Sequence, residues 1–279
     1  MAKEKNDLLI IDPQFDFCDP TGALSVPGAD EDMARLAAFI DKFGEKLNQI
    51  HVTLDCHYYY DIAHWPMWRN SEGRNPDPFT LITHQMVVDS VWWPVLPTMR
   101  GKNSRQHAKE YTKALEDGKR KVLCLWPPHC LIGTDGNKIL PPLAEALQSW
   151  QRKKKQNVNY VSKGSNILTE HYSAVRAEVP DPDDESTQLN VPLITNLEHG
   201  CTKLYVGGEA GSHCVPDTST DIADGFNDPK VVEKMVFLED CMSPVPATPD
   251  VDFPAIQEAF LEDMKNNRGA SVAKTTDII

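Results

Sequence analysis

The chain has few basic side chains for its length. In 279 residues, 28 lysines and arginines stand against 41 aspartates and glutamates, which gives a formal net charge of −13 at pH 7. A protein that binds nucleic acid neutralises phosphates with a concentrated basic face. The one basic run here, Arg152–Lys155, is more typical of a solvated helix end. We therefore expect no nucleic-acid partner.

Long apolar runs are also missing. No segment reaches the roughly 18 apolar residues of a membrane span, and the apolar stretch after the charged Met1–Asp7 is too short for a signal peptide. The seven cysteines are scattered without the spacing of a zinc ribbon or a thioredoxin motif. These features predict a cytoplasmic protein with reduced thiols and no membrane partner.

What the sequence does contain is an alternation of strand and helix patterns. Runs of aliphatic and β-branched residues predict strands buried on both faces of a parallel sheet, at Leu8–Asp12, Ile50–Leu54, Lys121–Leu125, Asn157–Val161, Lys203–Gly208 and Val231–Leu238. Apolar residues at helical spacing predict helices at Glu31–Gln49, Leu140–Lys154, Cys214–Phe226 and Phe253–Asn266. Together these patterns predict a single domain over residues 1–279, an α/β protein with three α/β/α layers around a mostly parallel sheet.

Residues 66–120 interrupt the alternation. They contain several prolines and tryptophans, and a polar helical pattern from Ser104 to Glu116, but no clear strand. We interpret this stretch as a long insertion that follows the second strand unit. Its composition is compatible with a lid, an oligomer contact or a packed surface excursion.

Polar residues follow the predicted strands, where a parallel sheet places its sites. Asp12 ends the first strand, Lys163 follows the fourth, and Cys214 opens a helix after a glycine-rich turn. A helix N-terminus favours a thiolate, and its free N–H groups can stabilise an oxyanion. A carboxylate can take the thiol proton, and a cation can hold that carboxylate. The pattern predicts a cysteine nucleophile, and the alternative is that Cys214 is a small buried residue.

Histidines and one aspartate suggest a metal site. Asp55 and His57 occupy alternate positions at the end of the second predicted strand, so their side chains point the same way. His64 and His129 could complete a set of nitrogen and oxygen donors that suits zinc, manganese and iron alike. The alternative is a set of hydrogen-bonded loop histidines. We interpret five other histidines in that way: His51, His84, His107, His171 and His199.

Six sequence blocks, taken in order, resemble the isochorismatase-like cysteine hydrolases and among them the pyrazinamidase/nicotinamidase group. The blocks are Asp12-Pro-Gln-Phe-Asp-Phe-Cys18, Gly22-Ala-Leu-Ser-Val-Pro-Gly-Ala-Asp30, Asp55-x-His57, Trp126-Pro-Pro-His-Cys130 with Gly133-Thr134, Lys163-Gly164 with Tyr172-Ser173, and Gly208-x-Ala210-x-x-x-Cys214-Val215. They span most of the chain outside residues 66–120.

The resemblance implies a role for each matched residue. The catalytic triad would consist of Asp12, Lys163 and Cys214. One divalent metal ion, with zinc favoured over manganese or iron, would be bound by Asp55, His57, His64 and His129. The substrate pocket would be lined by Phe17, Trp126, Tyr172, Ala210 and His213. The amides of Ala210 and Cys214 would hold an oxyanion, and the Glu209–Ala210 peptide would be cis.

The activity that the resemblance implies is hydrolysis of nicotinamide to nicotinate and ammonia, in NAD salvage, through a thioester on Cys214. Two alternatives stay open. One is a related hydrolase that acts on another small amide or carbamoyl compound, and residues 66–120 motivate it because they could reshape the pocket. The other is a catalytically silent domain that binds a metal or a pyridine ligand. Assembly into a homo-oligomer is compatible with each of these.

Overall fold

A computed structural model describes residues 4–248 and 251–278. The strands in this part of the chain are β1 (Asn6–Ile11), β2 (Leu47–Asp55), β3 (Trp68–Arg69), β4 (Leu81–Ile82), β5 (Trp93–Pro94), β6 (Thr98–Met99), β7 (Lys102–Asn103), β8 (Leu123–Cys124), β9 (Asn159–Lys163), β10 (Lys203–Gly208), β11 (Met235–Leu238) and β12 (Ser271–Ala273). The helices are α1 (Phe15–Cys18), α2 (Ala29–Phe43), α3 (His84–Val88), α4 (Ser104–Asp117), α5 (Pro141–Lys154), α6 (Val191–Gly200), α7 (Cys214–Gly225), α8 (Phe253–Asn266) and α9 (Thr275–Ile278).

A six-stranded parallel sheet forms the centre, in the order β12-β11-β10-β1-β2-β9. β1 is buried along its whole length, because its neighbours β10 and β2 flank it and helices cover both faces. Leu8 and Ile10 join an apolar cluster with α2 and α5, while Leu9 and Ile11 join a second one with α6, α7 and α8. Alternate side chains of a strand point to opposite faces, so the sheet lies between two helical layers. The predicted α/β fold class is confirmed.

A glycine at the end of β10 lets the central strands approach closely. Gly208 has a φ of +123°, and a Cβ on it would lie 2.1 Å from the carbonyl oxygen of Ile11. Only glycine fits such a position without a backbone shift. The close approach brings the residues that follow β1 next to the turn that follows β10.

One predicted strand is wrong. Lys121–Leu125 was expected in the central sheet, but only the two residues of β8 are extended, and they pair antiparallel with β4. The position beside β2 is taken by β9, where His51 pairs with Asn159. Val122 is exposed, whereas Leu123 and Leu125 pack into a third apolar cluster outside the sheet.

Other boundaries differ because local chain features end the elements. The helix predicted over Glu31–Gln49 ends at Phe43, since Gly44 begins a 3₁₀ turn and Leu47 already belongs to β2. The first residues of Val231–Leu238 lie in a 3₁₀ helix. Helix α6 and the three-residue edge strand β12 were not predicted.

Residues 66–120 form short strands and two helices, α3 and α4, around apolar side chains of their own. Trp68, Met99 and Tyr111 belong to this third cluster, and so do Leu168 and Tyr172 from the segment after β9. The cluster therefore links this stretch to the loop that follows Lys163. Within the described residues, none of the helices is both long and apolar enough to span a bilayer.

Candidate active site

Three side chains from different elements meet at the carboxyl edge of the sheet. Asp12 follows β1, Lys163 ends β9, and Cys214 begins α7. Lys163 Nζ lies 3.0 Å from Asp12 Oδ2 and 3.6 Å from Cys214 Sγ. All three residues are buried. The structure thus brings together the carboxylate, the cation and the thiol that the sequence pattern selects.

Neighbouring groups fix the orientation of Asp12 and Lys163. The Thr53 hydroxyl donates to Asp12 Oδ1 at 2.6 Å and accepts from the Asp12 backbone N–H at 3.0 Å. Lys163 Nζ donates to the carbonyl of His171 at 2.7 Å and lies 3.1 Å from Asp55 Oδ1. One ammonium group therefore joins the thiol site to the predicted metal ligands.

Burial keeps the thiol neutral in this site. It raises the pKa of Cys214 well above the usual value and outweighs the opposing effect of the Lys163 charge. Burial also raises the pKa of Asp12, again against the effect of Lys163. The sequence argument expected the helix N-terminus to favour a thiolate, but desolvation is larger here. The thiol accordingly needs a base, and Asp12 is the adjacent carboxylate.

The predicted metal ligands are also brought together. One ring nitrogen from each of His57, His64 and His129 lies within 4.8 Å of the others, and all three residues are buried. Asp55 Oδ2 lies 3.0 Å from His57 Nε2 and 3.5 Å from His129 Nε2. These are the donor types that zinc and related divalent ions take in proteins.

The ring nitrogens opposite the cluster are held by oxygen atoms. His57 Nδ1 lies 3.3 Å from Asp61 Oδ2, and the Nδ1 atoms of His64 and His129 lie 3.3 and 2.8 Å from backbone carbonyl oxygens. His57 Nε2 lies against Asp55 Oδ2, and the buried His64 Nε2 has no hydrogen-bond partner among the described residues. Histidines oriented in this way are typical of metal ligands. The residues therefore fit a divalent metal ion.

Next to the thiol lies a small cavity. Its walls consist of Phe17, Leu24, Val26, Asp55, Trp126, His129, Glu170, His171, Tyr172, Ala210, His213, Cys214 and Val245. These walls include all five residues that the sequence suggested for substrate binding. Trp126 donates from Nε1 to the Tyr172 hydroxyl at 3.2 Å, and its ring meets His213 edge-on with the ring centres 5.2 Å apart. An aromatic wall of this kind suits a planar ring.

Two backbone amides lie in the turn that leads into α7 and at the first residue of that helix. The Glu209–Ala210 peptide is cis, as the resemblance predicts. The carbonyl of Ala210 accepts from the N–H groups of His213 and Val215. Among the described hydrogen bonds, neither the Ala210 nor the Cys214 N–H donates to any acceptor. These two donors are available to an oxyanion that forms beside the thiol.

Several residues at the site were missed or misjudged from the sequence. Gln14 pairs with the backbone of Asp55 through both its side-chain atoms, at 2.6 Å each. His171 was interpreted as a loop histidine, but it is buried in the cavity wall, and burial lowers its pKa to about 3. Glu170 lines the same wall, and burial raises its pKa to about 7. The one sequence signal for these two neighbours is that they directly precede the Tyr172-Ser173 block.

A buried Cys–Asp–Lys group beside a histidine cluster, at the carboxyl edge of a parallel sheet, defines an architecture suited to a metal-associated cysteine hydrolase. The curated nicotinamidase of Saccharomyces cerevisiae is 22% identical over 245 residues, which cover 88% of this chain and 90% of that protein. No protein-family model matches the chain. The resemblance to nicotinamidases predicted from the motifs is confirmed by this similarity.

Solved structures of nicotinamidases share the fold. The yeast nicotinamidase superposes with a TM-score of 0.62 at 20% identity, over 96% of this chain and 99% of that one. The nicotinamidase/pyrazinamidase of Acinetobacter baumanii gives a TM-score of 0.62 at 20% identity, over 100% of both chains. The pyrazinamidase of Pyrococcus horikoshii, in a complex with zinc, gives 0.53 at 21% identity, over 97% of this chain and 99% of that one. The chain has the nicotinamidase fold.

Proposed function

We propose that this protein hydrolyses nicotinamide to nicotinate and ammonia. The observation that carries the proposal is the buried group of Asp12, Lys163 and Cys214, which opens into a cavity with aromatic walls beside the histidine cluster. A thiol next to a base can attack an amide carbon, and the aromatic wall of the cavity suits a planar aromatic amide. The similarity to nicotinamidases in sequence and in fold supports the choice of nicotinamide.

In this mechanism the reaction proceeds in two halves. Asp12 takes the proton of Cys214 as the sulfur attacks the carboxamide carbon, and the N–H groups of Ala210 and Cys214 hold the oxyanion. Ammonia leaves with the proton returned by Asp12, and a thioester remains on Cys214. Asp12 then deprotonates a water molecule that attacks the thioester, which releases nicotinate and restores the thiol. Lys163 orients Asp12 throughout and balances its charge.

We further propose that Asp55, His57, His64 and His129 bind one divalent metal ion. Zinc is the first choice because imidazole and carboxylate donors suit it and because the Pyrococcus horikoshii pyrazinamidase was solved with zinc. Manganese and iron accept the same donors. When bound, the ion supplies a Lewis acid that can coordinate the pyridine nitrogen of the substrate. The yeast nicotinamidase was solved with the inhibitor nicotinaldehyde, which also carries a pyridine ring.

The proposal is tested by comparing wild-type protein with Cys214→Ala and a matched control, Cys201→Ala. Both thiols are buried, but Cys201 does not line the cavity. We expect nicotinate formation to disappear in Cys214→Ala at unchanged metal content, and to persist in Cys201→Ala. Substantial activity in Cys214→Ala would refute the mechanism. If the protein hydrolyses another small amide but not nicotinamide, the proposed substrate is wrong and the proposed role of the thiol is kept.

A further inference from the structure

One carboxyl oxygen in the cavity wall has no partner. Glu170 is 4% exposed, and its Oε1 accepts from the backbone N–H of His171 at 2.8 Å. Its Oε2 is buried and has no hydrogen-bond partner among the described residues. Leaving a buried polar atom without a partner is unfavourable, so a ligand that brings a donor to this oxygen gains affinity.

The loop that carries Glu170 is fixed from both sides. The Glu170 backbone N–H donates to the Tyr111 hydroxyl at 3.0 Å, and its carbonyl accepts from the Glu178 N–H at 2.9 Å. His107 Nε2 donates to the carbonyl of Leu168 at 2.7 Å. Tyr111 and His107 both belong to α4, so residues 66–120 brace this wall of the cavity. The carboxyl group is therefore held in place rather than free to turn outwards.

The other acidic and hydroxyl groups of the cavity wall are already engaged. Asp55 contacts Lys163 and two of the histidines, and the Tyr172 hydroxyl accepts from Trp126. Glu170 Oε2 is thus the free carboxyl oxygen of the described cavity wall. Its neighbour His171 also has an unpartnered ring nitrogen there.

We propose that Glu170 determines the specificity of the cavity for a carboxamide over the matching carboxylate, by accepting a hydrogen bond from the amide –NH₂ through Oε2. A carboxamide offers two N–H donors, whereas a carboxylate offers none and carries a negative charge. Nicotinamide would donate a hydrogen bond to Glu170 Oε2, whereas nicotinate has no N–H group to donate to it. The inference rests on the proposed function and adds a reason for product release.

The test measures binding of nicotinamide and of nicotinate by calorimetry, in a Cys214→Ala background that prevents turnover. The variant is Glu170→Gln, studied at about pH 8, where the native carboxyl is largely ionised. Because Oε1 is held by the His171 N–H, the glutamine keeps its carbonyl there and turns its –NH₂ into the cavity. We expect about tenfold weaker binding of nicotinamide and about tenfold tighter binding of nicotinate.

The matched control is Glu178→Gln, which makes the same change at a buried glutamate outside the cavity wall, and neither affinity should change. If Glu170→Gln changes the affinities for both ligands equally, at equal metal content, the inference is overturned, because this result would show a structural role. If Glu170→Gln does not fold, Glu170→Asp provides the test. The shorter aspartate moves the carboxyl group away from the ligand but keeps its charge. It should therefore lower the affinity for nicotinamide about tenfold without raising the affinity for nicotinate. Equal changes in the two affinities would again overturn the inference.

Failure of the proposed function has a different signature. If the wild-type protein releases no nicotinate and the Cys214→Ala background binds neither ligand, both the function and the inference fail. If wild type releases nicotinate but Glu170→Gln leaves the ratio of the two affinities unchanged, only the inference fails.

Discussion

Replacing the buried lysine of the site should destabilise the fold more than any surface charge change. In Lys163→Met a side chain of similar length remains, but the ammonium that lies 3.0 Å from Asp12 and 3.1 Å from Asp55 is lost. All three side chains are buried, so two carboxylates stay inside the protein without this cation. Removing one partner of a buried ion pair typically costs about 3–5 kcal/mol, and we expect a loss of that size near neutral pH.

The loss should depend on pH in one direction. Burial already raises the pKa of Asp12 against the effect of Lys163, so its pKa rises further when Lys163 is removed. When the pKa of a carboxyl is higher in the folded than in the unfolded protein, ionisation of that carboxyl destabilises the fold. Its penalty grows as the pH rises above the unfolded value of about 3.9. The difference in unfolding free energy between wild type and Lys163→Met should therefore be smallest near about pH 4 and increase towards neutral pH.

Urea unfolding followed by tryptophan fluorescence, at a series of pH values and equal metal content, measures this difference. The control is Lys138→Met, which removes a lysine from a solvent-exposed pair with Asp135 and should change the stability little. The reasoning is refuted if Lys163→Met loses no more stability than Lys138→Met. It is also refuted if the loss is the same at acidic and neutral pH.

Two further predictions concern groups around the site. Asp61 holds His57 Nδ1, so Asp61→Asn should weaken metal binding about 10–100-fold in a chelator competition, and an unchanged affinity would contradict its role. Burial raises the pKa of Glu178 from 4.5 to about 7, so ionising this carboxyl costs stability as the pH rises through that range. Glu178→Gln should thus gain stability over wild type between about pH 4 and pH 8, by at most about 3 kcal/mol in urea unfolding, and a constant difference would contradict the shift.

The central strands could be predicted because both of their faces are buried. A strand such as β1 or β10 then has apolar residues at successive positions, and the polar residues that follow it mark the carboxyl edge of the sheet. Asp12 and Cys214 stand out for this reason, Lys163 follows a partly exposed edge strand, and the structure brings the three together. A polar residue after an apolar strand is recognisable in the local sequence, and the parallel sheet brings such residues together from distant parts of the chain.

The parts that were missed depend on contacts between distant segments. Lys121–Leu125 has a strand-like composition, but β9 takes the place beside β2, and no local pattern reports that choice. Glu170 and His171 belong to a loop whose position is set by α4, far away in sequence. Burial also reversed the expected effect on Cys214, because the desolvation of a thiol depends on the whole surrounding fold. Each of these features is set by contacts with segments that are distant in sequence.

The most direct test of the account is the time course of product release from nicotinamide by purified wild-type protein of known metal content. We predict that nicotinate and ammonia appear in equal amounts and that a thiol-blocking reagent stops both. Folded, metal-loaded protein that releases no nicotinate would contradict the central claim.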